Sequence, residues 1–131
     1  MIFVGTSGLY ASSSARDANH NNAKQFLASV QERLVTTDYV VDETLTLFRA
    51  RGESQHAFAF GNEVIDGSFA ELITIDDQDF ADAWKVFQRF HDKQWSFTDC
   101  TSRVVRERLG IARAFAFDEH FRQFGTVAVV P

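Results

Sequence analysis

Short unbroken apolar runs alternate along this chain with longer stretches in which apolar residues return every three or four positions. Ile2-Phe3-Val4 is the first run and reads as a strand buried on both faces. Gly5-Thr6-Ser7-Gly8 reads as a tight turn, followed by a brief helix from Leu9 to Ser12. The polar segment from Ser12 to Asn22 predicts a loop that enters a helix over about His20 to Arg33. Ala23, Phe26, Leu27, Val30 and Leu34 sit there at helical spacing. Leu34-Val35-Thr36-Thr37 predicts a second strand. Asp38 to Arg51 predicts a helix with Val41, Leu45 and Phe48 on one face, ended by Gly52. A helix over His56 to Ile65 and a strand over Ala70 to Ile75 follow.

The acidic run Asp76-Asp77-Gln78-Asp79 opens a long helix to about Asp92, where negative charge complements the positive end of the dipole. Phe80, Trp84, Phe87 and His91 are its expected inward face. Thr98 is the expected N-cap of the next helix, which runs to Leu109 and stops at Gly110. A strand over Ala114 to Phe117, a single turn or short helix over Asp118 to Phe124, and a final strand over Thr126 to Val130 complete the pattern. Strands and helices alternate throughout. This predicts an α/β fold: a mostly parallel central sheet with helices on both faces.

At 131 residues the chain is long enough for one domain, spanning 1–131, with a substantial core. Its 14 Phe residues make aromatic packing the main feature of that core. One Cys, at position 100, excludes an internal disulfide. Met1-Ile2-Phe3-Val4 lacks the basic flank and apolar length of a signal peptide, and no apolar run is long enough to span a bilayer. A soluble, cytoplasmic protein is the expectation. The net charge of -5 argues against binding nucleic acid by bulk attraction.

In an open α/β sheet, functional groups gather beyond the carboxyl ends of the strands. Four places here reach that edge: Gly5-Thr6-Ser7, Glu43, Asp99 and Asp118. Asp99 falls in a first helical turn, where the dipole favours its ionised form; capping is the plain reading of that residue alone. Crowded carboxylates repel unless cations sit between them, and Mg²⁺ or Mn²⁺ is the natural occupant. On spacing alone, ordinary caps and surface acids are the plainer reading.

Four stretches together resemble the PIN-domain ribonucleases of the VapC type, toxins of toxin–antitoxin pairs. These are the opening Met-Ile-Phe-Val-x-Thr-Ser-Gly-Leu-Tyr, then Thr36 to Thr44, Ser96 to Ser102, and Ala116 to Phe121, in order across the chain. The resemblance implies a three-layer PIN fold, Mg²⁺- or Mn²⁺-dependent cleavage of RNA, a cognate antitoxin and a homodimer. On that mapping Glu43, Asp99 and Asp118 are catalytic, metal-holding acids. Thr98 orients its neighbour, and Thr6 and Ser7 supply polar contacts at the rim. One position departs from the pattern: Gly5 stands where the family has Asp. The resemblance therefore implies an attenuated or inactivated nuclease, with a non-catalytic module that binds antitoxin or RNA as the alternative.

Other candidates carry less. Cys100 reads as a small buried hydrophobe, not a nucleophile. Asp17 and His20 sit in a loop that could touch RNA. His56, His91 and His120 show no zinc-ligand spacing. Arg103, Arg106 and Arg108 form either an RNA- or partner-facing surface or a solvated helix face. A receiver-like signalling domain would need an acidic pair after the first strand, and Gly-Thr-Ser stands there.

Overall fold

The structure is a computed structural model that describes residues 1–124 and 128–131. Its strands are β1 (Ile2–Val4), β2 (Leu34–Thr37), β3 (Glu71–Ile73), β4 (Arg113–Phe115) and β5 (Ala128–Val130). They form one sheet in the order β3-β2-β1-β4-β5, with every pairing parallel. The helices are α1 (Thr6–Ser13), α2 (His20–Ser29), α3 (Asp38–Ala50), α4 (Ser54–Asp66), α5 (Asp77–Arg89), α6 (Phe97–Arg108) and α7 (Glu119–Gln123). Parallel neighbours need helical crossovers, and the sheet grows outward from β1 in both directions. Right-handed crossovers then put the early and late helices on opposite faces. The result is the expected three-layer α/β architecture.

The central strand β1 is fully buried, which is why it reads as an unbroken apolar run. Phe3, Phe115 and Phe121 are among the largest fully buried side chains. The Phe115 ring stacks on Phe26 at 4.9 Å, which fastens α2 to the sheet.

Several boundaries differ from expectation. Gly5-Thr6-Ser7-Gly8 is not a turn: α1 begins at Thr6, directly after β1. Gly8 lies inside that helix because a Cβ there would stand 2.5 Å from the Phe115 carbonyl oxygen. The second helix ends at Ser29, short of Arg33, because Val30 turns into extended backbone to approach β2. The N-cap of α6 is Ser96, not Thr98. Of the final strand expected from Thr126, residues 126 and 127 lie outside the described residues, and Ala128–Val130 is a strand.

The inward face of α5 is also different. Asp79 and Ala83 are buried, whereas Phe80, Trp84 and Phe87 are 49%, 50% and 41% exposed and His91 is exposed. Asp79 tolerates burial because it closes a capping box with Asp76 and receives two hydrogen bonds from Arg108, at 2.9 and 3.0 Å. With Asp79 satisfied, the small Ala83 can lie fully buried against the core, and the rings rotate outward.

Candidate active site at the crevice between β1 and β4

The chain leaves β1 and β4 toward opposite sides of the sheet, so a crevice opens at their carboxyl ends. Gly5 closes β1 with its N–H on the Phe115 carbonyl at 3.2 Å. Ser7 accepts a 2.8 Å hydrogen bond from the Phe117 N–H, so it stitches the two strand ends together and is not a free rim contact. Thr6 has a different task. Its hydroxyl donates to Glu43 Oε1 at 2.6 Å and fixes that carboxylate from α3. Thr6, Glu43 and Thr98 share the lining of one hollow of about 530 Å³, with Asp42, Thr46 and Leu47.

Asp99 is 7% exposed. Its backbone N–H donates to Ser96 Oγ at 3.0 Å while its Oδ2 accepts the Ser96 N–H at 2.9 Å. Capping, the plain reading, is therefore correct, and Ser96 orients Asp99 where Thr98 was expected to. His120 Nδ1 lies 2.6 Å from the same Oδ2. Burial is the main influence on the Asp99 carboxyl and pushes it above the ordinary carboxylate value. The Ser96 N–H and His120 pull it down, and the charge of Asp118 pushes it up again. The helix dipole alone predicted an easily ionised acid; desolvation outweighs it. Asp118 caps α7, accepting the Phe121 N–H at 3.4 Å.

The structure thus brings Asp99 and Asp118 into mutual electrostatic range and sets Glu43 on the α3 side of the neighbouring hollow. Among the described residues, no group of three or more His, Cys, Asp or Glu is arranged to hold a metal ion. The donors fit a hard cation in kind, being carboxylate oxygens. Asp99 and Asp118 are the pair that would hold it.

At position 5 a Cβ would meet Phe121 Cε2 at 2.8 Å and Cζ at 3.2 Å. The Phe121 ring occupies the room a side chain would need. It packs at 5.9 Å from Phe3 and 5.3 Å from Phe124.

Most of the remaining candidates have partners within the fold. Burial pushes the Cys100 thiol up to about 11, with the Asp99 charge adding to it, so the thiolate is disfavoured. Arg103 lies over the rings of Phe90, Trp95 and Phe124. Arg106 is 2% exposed and donates to the Ile111 carbonyl, and Arg108 holds Asp79. Arg106 is buried and Arg103 half-buried, so the three arginines do not share one solvated face; only Arg108 is exposed. His20 Nδ1 sits 2.7 Å from the Ala11 carbonyl, and Asp17 accepts the Asn19 N–H, so both build their loop. His56 pairs with Glu53. Sequence reasoning missed His120 and Ser96, although both lie inside the stretches that carry the family resemblance.

Residues 2–127 match the PIN domain family. The chain is 36% identical over 132 residues to the 23S rRNA-specific endonuclease VapC20 of Mycobacterium tuberculosis, spanning 100% of this chain and 99% of that protein. It is 29% identical over 113 residues to a VapC ribonuclease of Archaeoglobus fulgidus, across 82% of this chain and 70% of the relative. The crystal structure of mycobacterial VapC20, described as a sarcin-ricin loop cleaving toxin, covers 100% of both chains with a TM-score of 0.93 at 33% identity. A toxin–antitoxin complex from Klebsiella pneumoniae shares the fold, with a TM-score of 0.68 at 16% identity over 100% of this chain and 97% of the other.

Proposed function

The chain belongs to the PIN-domain family as a VapC-type member, and from that premise we propose that it is a metal-dependent endoribonuclease weakened at one ligand position. The observation that carries the reading is that Asp99 and Asp118 come within electrostatic range of each other beyond the ends of β1 and β4, the Asp99 carboxyl being raised first by burial and then, more weakly, by the Asp118 charge. Two acids within electrostatic range at a strand-end crevice repel one another, and a cation between them would offset that repulsion. Bound there, Mg²⁺ or Mn²⁺ supplies Lewis-acid activation of water and neutralises charge at the phosphodiester. The protein's own part is to hold the acids still. Ser96 fixes Asp99, Thr6 fixes Glu43, and the Asp118 cap ties its carboxylate to α7. Gly5 contributes no oxygen, so cation affinity falls below that of a four-acid site.

The match to a 23S rRNA-specific endonuclease makes ribosomal RNA the first substrate to test, in the cytoplasm. An antitoxin is the natural restraint. A groove of about 630 Å³ between α3 and α4, lined by Leu45, Thr46, Ala57, Phe58 and Ile65, suits an apolar helix face. Thr46 also lines the hollow beside Glu43, so the groove and that hollow adjoin. The exposed rings Phe80, Trp84 and Phe87 of α5 are the surface for a second copy.

One observation favours the non-catalytic alternative: the Phe121 ring fills the space beside Gly5. Incubating the purified chain with ribosomes separates the readings. Cleavage is expected with Mn²⁺ or Mg²⁺, none in chelator, and none from Asp99→Asn. A chain that binds antitoxin and RNA but cuts nothing at any metal concentration is the non-catalytic module.

A further inference from the structure

Asp99 Oδ2 is held from two sides, by the Ser96 N–H at 2.9 Å and by His120 Nδ1 at 2.6 Å. Among the described residues no group donates a hydrogen bond to Oδ1. The two contacts come from unrelated parts of the chain. Ser96 belongs to the helix that carries Asp99, whereas His120 arrives on α7, beyond β4. A cap alone fixes the carboxylate in one direction; a second donor on the same oxygen fixes rotation about Cβ–Cγ as well.

His120 is itself held firmly. The Asp118 carboxylate caps α7. The next residue, Phe121, is 2% exposed, with its ring against Gly5 and between Phe3 and Phe124. A side chain at position 5 would crowd that ring, so glycine there lets α7 settle close over Asp99.

We propose that His120 is a positioning residue: its Nδ1–H locks the Asp99 carboxylate by Oδ2 and leaves Oδ1 as the oxygen that works. The proposal rests on the reading of Asp99 as a site acid. It assigns the imidazole no contact with substrate; His120 acts through Asp99. An orienting donor of this kind changes affinity at a site by roughly 10–100-fold when it is lost.

Asparagine and glutamine variants test it, because the Asn amide places an N–H where Nδ1 stands and the Gln amide places one where Nε2 stands. Mn²⁺ affinity is measured by water-proton relaxation, and folding by thermal melts in chelator. His120→Ala and His120→Gln are expected to weaken Mn²⁺ about tenfold, with His120→Asn within about threefold of the parent. Melting temperatures should not follow that order. Unchanged affinity in His120→Ala, or equal behaviour of the Asn and Gln variants, overturns the proposal. A second readout does not depend on metal. A slowly exchanging, downfield Nδ1–H proton resonance from His120 is expected in the parent and should vanish in Asp99→Ala. Its absence from the parent, or its persistence in Asp99→Ala, also overturns the proposal. A parent that binds no Mn²⁺ counts against the metal reading above, and the proton resonance then decides this one.

Discussion

Gly5 is where chemistry and packing meet in a single residue. Restoring the family's aspartate adds an oxygen donor, but its Cβ meets a ring that Phe3 and Phe124 already confine. The ring must give by a few tenths of an ångström, and a further negative charge joins Asp99 and Asp118. Both effects oppose folding without a cation. Overpacking of this size costs about 1–3 kcal/mol, so Gly5→Asp should melt about 3–12 °C lower in chelator. Mn²⁺ should recover more of that loss than it adds to the parent. Adding Phe121→Leu should relieve the crowding but not the repulsion. Melts with and without Mn²⁺ check both variants against the parent. Equal metal response in the parent and Gly5→Asp would remove position 5 from the ligand set.

Among the elements, α5 shows how one satisfied polar group sets a helix's rotation. Asp79 is 1% exposed, completes the capping box of its own helix and takes both guanidinium contacts from Arg108. Removing it takes away half of the capping box and the tie to α6 together. Asp79→Ala should cost about 2–3 kcal/mol in urea unfolding. Arg108→Ala should cost less, about 1 kcal/mol, because Asp79 keeps its capping box. The ordering matters more than the values. If Arg108→Ala proved the worse of the two, the bridge and not the cap would hold α5 in place. Asp79 also explains why the exposed rings form a continuous patch: Phe80 and Phe87 both pack on Phe97, at 4.9 and 6.0 Å, beside the site.

Across the whole molecule, Glu53 joins regions that no single helix connects. Its side chain is 4% exposed. Tyr10 Oη donates to it in a short hydrogen bond, and Ser14 Oγ donates at 2.7 Å, both from α1 and its cap. Arg16 Nη2 reaches it at 3.1 Å from the loop after α1, and His56 Nδ1 lies 3.3 Å away on α4. The Tyr10 hydrogen bond is the main influence holding its carboxyl below the ordinary value; burial opposes it, while Ser14, Arg16 and His56 assist. A depressed carboxylate stabilises the fold fully above its unfolded pKa of about 4.5, and that stability fades as pH falls through the lower folded value. Glu53→Gln should therefore be less stable than the parent at pH 7, with the gap closing in acid. Unfolding measured from pH 7 down to pH 3 checks the sign. A gap that widened in acid would mean that the carboxylate is not held ionised.

Periodicity and end signals along the chain were enough for the parallel α/β order. Apolar runs as short as three residues and helices with caps are local features. The same holds for Asp99 as a first-turn acid and for Asp118 as the residue beyond β4. What depended on the folded chain was every relation between distant segments. Which face α5 buries depended on Arg108, 29 residues away from Asp79, which no helical period can register. Thr6 found Glu43 across 37 residues, and His120 found Asp99 because β4 returns beside β1. The room at Gly5 was set by a phenylalanine ring from α7. Spacing along a chain reports the neighbours a residue has on its own helix or strand; the partners that orient a carboxylate come from wherever the sheet brings another element alongside.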